Sequence, residues 1–175
     1  RALGGTAGCA RMIAVRDLHK SYPTRFGNKV VLDDVSFDLA KGERLGILGR
    51  NGAGKSTTMK MLTCFLTPTA GQGWINGHSL DASLEVRKQI GYMPEAAPIY
   101  TDLTVWEFLN FVCEVRALDP KLIQEIMERC WLEGVKHQLI DTLSKGFKRR
   151  VSLAQALIHD PSVLILDEPT DGLDP

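Results

Sequence analysis

The sequence predicts an α/β fold, and three observations lead to this prediction. Short apolar runs with the alternation of strands fill the first part of the chain. A glycine-rich loop then stands between an apolar run and a helical pattern, and helical periodicity dominates from Thr104 to Ile158. A last uninterrupted apolar run, Ser162–Leu166, is typical of a central parallel strand.

The composition is that of an ordinary folded domain. The chain has 175 residues, of which 44% are hydrophobic and 24% charged, enough to bury a real core. Lys plus Arg and Asp plus Glu each number 21, so the chain has no net positive charge that would attract nucleic acid. No apolar run approaches the roughly 18–20 residues of a membrane span. Any membrane role is therefore expected to come through a partner.

The cysteines and the first residues indicate little chemistry. The four cysteines are far apart and show no C-x-x-C spacing, so neither a zinc site nor a disulfide scaffold is expected. Reduced thiols are typical of a cytosolic protein. Residues 1–11 have no periodicity and are interpreted as a tag or upstream extension.

The predicted strands come first. Ile13–Val15 and Val30–Leu32 are short apolar runs, and Val35–Leu39 alternates strictly, as a strand with one buried face does. These runs predict a small antiparallel β layer with a hairpin-like connection around residues 26–29. Gly71–Gly77 predicts one more strand between turns, and Ile90–Met93 predicts a core strand that ends at Pro94.

Residues Gly49–Ser56 fit the phosphate-binding pattern G-x-x-x-x-G-K-[ST] at every fixed position. The glycines allow backbone N–H groups to surround phosphates, Lys55 places a charge on the β and γ oxygens, and Ser56 is expected to hold Mg²⁺. The nucleotide contacts expected here are those of Gly49, Asn51, Gly52, Ala53, Gly54, Lys55, Ser56 and Thr57.

The flanks of this loop agree with the pattern. Leu45–Leu48 predicts a buried strand before it. After it, one face of a helix is predicted from Met59, Leu62, Phe65 and Leu66. The N-terminus of that helix would add partial positive charge at the phosphates. The alternative is a glycine-rich turn without a ligand, and the order strand–loop–helix disfavours it.

Three further helices are predicted. Thr104 and Glu107 form a possible capping box, and Asp119-Pro120 is a good helix start. The expected buried positions are Val105, Phe108, Leu109 and Val112 in the first helix, Leu122, Ile123, Ile126 and Cys130 in the second, and Val151, Ala154, Leu157 and Ile158 in the third.

Two carboxylates follow the last apolar run. Asp167 at the end of a strand, far along the chain from a phosphate loop, is the Walker B arrangement and would hold Mg²⁺ through its water shell. Glu168 is then placed to polarise a water for attack on the γ-phosphate. The alternative is a pair of acids that only caps a strand.

In order and spacing these motifs resemble the nucleotide-binding subunit of ABC ATPases, from about Met12 to Pro175. The resemblance includes Asp167–Thr170 and the D-loop 172–175, in which Asp174 is expected to contact nucleotide. It implies a P-loop NTPase (RecA-like) core with an N-terminal antiparallel β layer and an inserted helical subdomain. The expected divisions are 12–95 for the β layer and P-loop core, 96–143 for the helical subdomain, and 144–175 for the signature helix, Walker B and D-loop.

The resemblance assigns four more residues, and the chain departs from the family pattern at some positions. Leu143–Phe147 stands where the family has L-S-G-G-Q, so Ser144 and Gly146 are expected to cap the γ-phosphate of ATP on a facing subunit. Glu95 stands where the family has a Gln that contacts Mg²⁺. Tyr22 lies where an aromatic side chain stacks on adenine, or else it only packs at a strand edge. The sequences around Glu95 and Ser144 resemble the branch that serves ABC-2-type exporters.

A basic run, residues 148–150, follows the signature loop. It could indicate nucleic acid, but the preferred interpretation is a solvated or phosphate-facing first turn of the signature helix.

The resemblance implies an ATP-hydrolysing motor subunit of a membrane exporter, with ATP and Mg²⁺ as cofactors. The implied partners are a second ABC subunit, bound head-to-tail, and a separate transmembrane permease, with no nucleic acid. The expected location is cytoplasmic, on the inner face of the membrane. The family's remaining strands and switch His are expected beyond Pro175. The chain is therefore expected to correspond to a domain truncated at its C-terminus, which binds ATP weakly and hydrolyses it poorly. Two alternatives stay open: a soluble ABC ATPase acting on nucleic acid or ribosomes, and a nucleotide sensor with little turnover.

Overall fold

A computed structural model describes residues 11–50, 52–95 and 100–168 of the chain. The chain divides into two compact units, Arg1–Gln89 and Ile90–Pro175. In order along the chain, the strands are β1 Arg11–Thr24, β2 Gly27–Ala40, β3 Ala70–Ile75, β4 His78–Ser79, β5 Ile90–Met93 and β6 Val163–Leu166. The α-helices are α1 Lys55–Leu62, α2 Ser83–Gln89, α3 Val105–Arg116, α4 Lys121–Arg129 and α5 Lys145–Leu157.

The first unit is built on an antiparallel sheet of four strands in the order β2-β1-β3-β4. Strands β1 and β2 form a hairpin in which Thr24 pairs with Gly27. The predicted hairpin is therefore present, but its turn lies at residues 25–26, and residues 27–29, predicted as part of the connection, belong to β2. The two apolar runs predicted as separate strands between Val30 and Leu39 are one strand, β2. The partly buried residues Val35, Phe37 and Leu39 alternate there with exposed ones, as expected of a strand with one covered face.

Two predictions around the phosphate loop are wrong. Leu45–Leu48 is not a strand, and the Leu48 side chain is 95% exposed. A backbone needs partners for its N–H and C=O groups, and no described strand pairs with this run. Helix α1 ends at Leu62, earlier than predicted, because Cys64 takes a left-handed φ of 56°; Phe65 is consequently 68% exposed.

The second unit combines a small parallel sheet with the helices. Strands β5 and β6 pair in parallel from Ile90 opposite Val163 to Met93 opposite Leu166. Parallel pairing was predicted, but among the described residues β6 has β5 as its one neighbour, and Leu164 is exposed. Within the described residues, β6 is therefore an edge strand and not the buried central strand that its apolar sequence indicated.

Helices α3, α4 and α5 enclose the core of the second unit, as the helical periodicity predicted. The buried members of this core include the side chains predicted for it: Val105, Phe108, Leu109, Val112, Ile123, Ile126, Cys130, Val151, Ala154 and Ile158. Leu122 and Leu157 are partly buried and pack against the same cluster.

Helix α5 approaches strand β5 closely at Gly91. A Cβ atom at this position would collide with the carbonyl oxygen of Ala156 in α5 and lie 2.9 Å from the Pro161 ring. Real Cβ atoms do not tolerate such contacts, so glycine at position 91 lets the helix backbone lie directly on the strand. This close approach fixes where α5 lies relative to the ends of β5 and β6.

The capping box of α3 is confirmed. The Thr104 hydroxyl accepts a hydrogen bond from the Glu107 amide at 3.3 Å. In return, the Glu107 carboxylate accepts a hydrogen bond from the Thr104 amide at 2.9 Å. The hydrogen bonds from Thr104 hold the pKa of the Glu107 carboxyl below its ordinary value. Two N-terminal donors of the helix are thus satisfied reciprocally.

Removing this cap is expected to destabilise the helical unit. Thr104→Ala should lower the free energy of unfolding by about 0.5–2 kcal/mol, the usual cost of an N-cap threonine. Urea unfolding followed by circular dichroism would measure the change. Thr101→Ala is the matched control, because Thr101 is exposed three residues earlier and takes no part in the cap. Equal unfolding midpoints for the two variants would contradict the role of the cap.

His159 supplies a pH dependence in the second unit. Its Nε2 lies 3.0 Å from the Ile90 carbonyl oxygen, whereas its Nδ1 is buried without a described partner. Burial, and then the Arg116 charge, lower the pKa of His159 below its ordinary value, although the hydrogen bond with the Ile90 carbonyl and the Asp160 charge raise it. Protonation would bury an unpaired N–H and a second cation near Arg116.

Because the pKa of His159 is lower in the folded state, the unfolded chain takes up the proton first as pH falls. Stability should therefore be constant above the unfolded pKa of about 6.5 and decrease as pH falls below it. Urea midpoints between pH 8 and pH 5 measure this. In the His159→Gln variant, the urea midpoint should change less between pH 8 and pH 5. If the midpoint of this variant falls with pH as steeply as that of the unmodified protein, His159 is not the cause of the pH dependence.

Candidate functional site

The predicted site residues divide between the two units of the chain. Tyr22 and the phosphate loop lie in the first unit. Glu95, Ser144, Gly146, Asp167 and Glu168 lie in the second. Asn51 and Asp174 fall outside the described residues, as do the D-loop and residues 1–10.

The phosphate loop of the first unit leads directly into α1. Gly54 is the N-cap residue, with a φ of 88°, and its missing Cβ would lie 2.8 Å from the Val31 carbonyl oxygen. Any other residue would strain this turn and press on β2. The first turn of α1 has neither a side-chain cap nor an acidic residue. Its amides, those of Lys55, Ser56 and Thr57, therefore face the loop as donors for an anion.

Lys55 closes the loop on itself. Its Nζ donates to the Gly49 carbonyl oxygen at 2.6 Å and lies 3.4 Å from that of Arg50. The Ala53 amide donates to the Arg50 carbonyl at 3.1 Å and shapes the same turn. The ammonium group thus lies at the mouth of the loop, where a phosphate could exchange for these carbonyl groups.

Tyr22 lies on β1 and is 39% exposed. The Lys20 ammonium is 5.1 Å from its ring centroid, and no hydrogen bond or ring contact joins Tyr22 to the phosphate loop in the part of the chain that the structure describes. The ring is accessible for stacking, but no contact between Tyr22 and Lys55 is present among the described residues.

The two carboxylates follow β6 in the second unit. The Asp167 amide donates to the Met93 carbonyl at 2.9 Å, so the pairing with β5 continues one residue beyond the strand. The Asp167 side chain is largely buried and makes no hydrogen bond or ion pair with the described residues. Burial, and then the Asp167 charge, raise the pKa of the Tyr92 hydroxyl, which keeps Tyr92 neutral.

Glu168 has an exposed side chain and a strained backbone. Its φ of 49° is left-handed, which costs a non-glycine residue about 1–3 kcal/mol unless the surroundings hold it. Such strain often occurs at functional residues.

Ser144 begins α5, as the signature loop predicted. Its hydroxyl accepts the Phe147 amide at 3.3 Å, and Ser144 itself has the extended backbone of an N-cap residue. A Cβ at Gly146 would meet only the Ser144 Oγ, at 4.0 Å, so the first turn is open beside it.

Arg149 corrects the interpretation of the basic run. The sequence predicted a solvated or phosphate-facing turn, yet the Arg149 side chain is buried and donates to the carbonyl oxygens of Pro94, Glu95 and Glu168. A signal for this burial was present in the sequence. Arg149 lies at i, Ser152 at i+3 and Ala156 at i+7, so these buried residues form a second stripe along α5, in which two small residues follow the arginine.

The sequence of the chain matches a family model. The family model described as ABC transporter covers residues 32–171, most of the chain. The chain belongs to the ABC transporter family. Among the described residues, no helix is long and apolar enough to cross a membrane, and no group of three or more His, Cys, Asp and Glu could hold a metal.

Relatives of this ABC domain include exporters. It is 40% identical over 177 residues to the "Probable multidrug ABC transporter ATP-binding protein YbhF" of Escherichia coli (strain K12), covering 98% of the chain and 30% of YbhF. It is 41% identical over 155 residues to the "Nod factor export ATP-binding protein I" of Rhizobium sp. (strain N33), covering 86% of the chain and 51% of that protein. The chain thus spans about half or less of these relatives.

Solved structures of ABC domains have the same fold. The dimeric bacterial ABC transporter cassette MJ0796 matches with a TM-score of 0.85 at 25% identity, covering 93% of the chain and 76% of the cassette. The same cassette has been solved in a post-hydrolysis state with ADP and Pi. The predicted fold class, an ABC ATPase cassette of mixed α/β structure, is confirmed.

Proposed function

We propose that the protein is the ATP-binding and ATP-hydrolysing motor subunit of an ABC-type membrane exporter. The observation that carries the proposal is the loop Gly49–Ser56, with its open helix N-terminus and the Lys55 ammonium at its mouth. Family membership adds the nucleotide, since the relatives are named ATP-binding proteins and two of the names specify multidrug transport and Nod factor export.

The proposed roles of the site residues follow from their chemistry. Lys55 and the first amides of α1 bind the phosphates, and Glu168 accepts the proton of the attacking water. Tyr22 stacks on adenine, and the loop residues Gly49, Asn51, Gly52, Ala53, Gly54, Ser56 and Thr57 complete the nucleotide contacts. The exposed Glu168 carboxylate is accessible to a water molecule.

The donor set fits a magnesium ion. Asp167 offers a largely buried carboxylate without a described partner, and the hydroxyl of Ser56 and the carboxylate of Glu95 are oxygen donors of the kind that Mg²⁺ prefers. Mg²⁺ usually takes only one or two carboxylates, with waters and substrate phosphates, so a site without a cluster of protein ligands is suitable. The ion would neutralise charge on the phosphates.

The proposed partners are a second ABC subunit and a membrane permease. In a head-to-tail pair, Ser144 and Gly146 at the open start of α5, together with Asp174, would contact ATP bound to the facing subunit. The proposed location is the cytoplasmic face of the membrane, through the permease. The name of the dimeric cassette MJ0796 supports a paired assembly.

A phosphate-release assay tests this proposal on the full-length protein. Turnover that requires Mg²⁺ and stops with EDTA is expected. ATP binding without phosphate release would favour a nucleotide sensor instead. Co-purification with RNA or DNA, in place of a subunit with apolar spans of about 20 residues, would favour the nucleic-acid alternative.

A further inference from the structure

Arg149 is a buried cation in the middle of three backbone carbonyl groups. Its side chain is 8% exposed in the described structure. Its Nη1 donates a hydrogen bond to the Glu95 carbonyl at 2.9 Å and a longer one to the Pro94 carbonyl at 3.4 Å. Its Nη2 donates to the Glu168 carbonyl at 2.5 Å. A buried charge is costly unless it is paired, so these bonds are the reason that the side chain can stay inside.

The three carbonyl groups belong to two separate segments of the chain. Pro94 and Glu95 follow β5, and Glu168 follows β6. Because β5 and β6 are parallel neighbours, both segments leave the sheet at the same edge. Arg149 connects them from α5, five residues after Ser144, and thereby joins the start of α5 to two segments that carry proposed site residues.

The contact with Glu168 falls on a strained residue. Glu168 has a φ of 49°, and the carbonyl that Arg149 binds belongs to the same residue. A left-handed backbone persists at a non-glycine residue only when its surroundings hold it. The planar guanidinium presents its donors in a rigid fork, whereas the three donors of an ammonium group rotate on a flexible stem and hold no fixed pair of directions.

We propose that Arg149 is a positioning residue for ATP hydrolysis: it holds the Glu168 backbone in its left-handed conformation and so orients the carboxylate. The inference rests on the proposed role of Glu168 as the proton acceptor. The hydrogen bond from Arg149 to Glu168 goes to the backbone carbonyl, so the proposed contribution of Arg149 is to the orientation of the base. Loss of the fork should affect the chemical step and leave the capture of ATP unchanged.

The test compares Arg149→Gln and Arg149→Lys in the full-length protein. We expect kcat to fall by about 10–100-fold, since a misplacement of about 1 Å can cost ~10²-fold, while KM for ATP stays within about twofold. Lysine keeps the charge without the fork, so Arg149→Lys should be nearly as slow as Arg149→Gln. Arg129→Gln is the control, because Arg129 lies exposed on α4, where its side chain forms an ion pair with Glu125 at 3.8 Å.

A double variant separates this inference from the proposed function. Arg149→Gln combined with Glu168→Gln should be no slower than Glu168→Gln alone, because residues that act through one another are non-additive. Turnover at the original rate in Glu168→Gln would remove the proposed role of Glu168. A slow Glu168→Gln with an unchanged kcat in both Arg149 variants would overturn the inference alone. A parallel loss of kcat, ATP affinity and melting temperature in both Arg149 variants would also overturn it, since that pattern indicates a purely structural residue.

Discussion

Glu168→Gln is expected to slow steady-state ATP hydrolysis strongly while ATP binding is retained. Glutamine has the same shape as glutamate but cannot accept the proton of the attacking water. General-base catalysis contributes typically about 10²–10⁴-fold, so kcat should fall by at least the lower figure. The side chain is exposed, and the backbone contact with Arg149 does not depend on the carboxylate, so folding should be unaffected.

Two measurements check this prediction in the full-length protein. Phosphate release gives the turnover, and gel filtration with ATP shows whether the variant accumulates as a dimer trapped around uncleaved nucleotide. Glu125→Gln is the matched control, since Glu125 is an exposed carboxylate on α4. Hydrolysis by Glu168→Gln at the rate of the unmodified protein would exclude Glu168 as the base.

Lys55→Ala should show the second large effect. Loss of the ammonium group removes the charge placed on the β and γ oxygens as the γ-phosphate is transferred. By analogy with the loss of one oxyanion-hole donor, the cost is about 2.7–4 kcal/mol, or about 10²–10³ in kcat. Weaker binding of ATP is expected as well, because the same group also contacts the ground state.

The hydrogen bond from Lys55 to the Gly49 carbonyl is lost in this variant, so the melting temperature must be measured beside the kinetics. Lys60→Ala is the control, because Lys60 lies exposed in the last turn of the same helix. Retention of ATP affinity and kcat by Lys55→Ala would contradict the assignment of the loop as the phosphate site.

Local signals predicted much of the fold. The capping box at Thr104 and the i, i+3, i+4, i+7 spacing of apolar residues defined α3 and its buried face because both depend only on neighbouring residues. The strand Ile90–Met93 was equally clear, since Pro94 ends it. Glycines at fixed spacing predicted the turn before α1 because a φ of 88° is open to glycine.

Features that depend on distant partners could not be predicted in this way. The run Leu45–Leu48 has the composition of a strand, but a strand also needs a neighbour for its backbone groups. Arg149 was interpreted from its charge as an exposed residue, although the carbonyl groups that bury it come from positions 54 or more residues earlier and 19 later. The sequence pattern identifies a loop or a helix face, whereas such a convergence exists only after folding.

The absence of a side chain at Gly91 has a consequence for variation in this protein. The backbone of α5 lies directly on β5 there, and the same helix carries Ser144 at its start and Arg149 one turn later. Even an extra methyl group at position 91 would push helix α5 away from β5 and would displace Ser144 and Arg149 with it. A substitution with no chemistry of its own is therefore expected to displace two proposed site residues in one step.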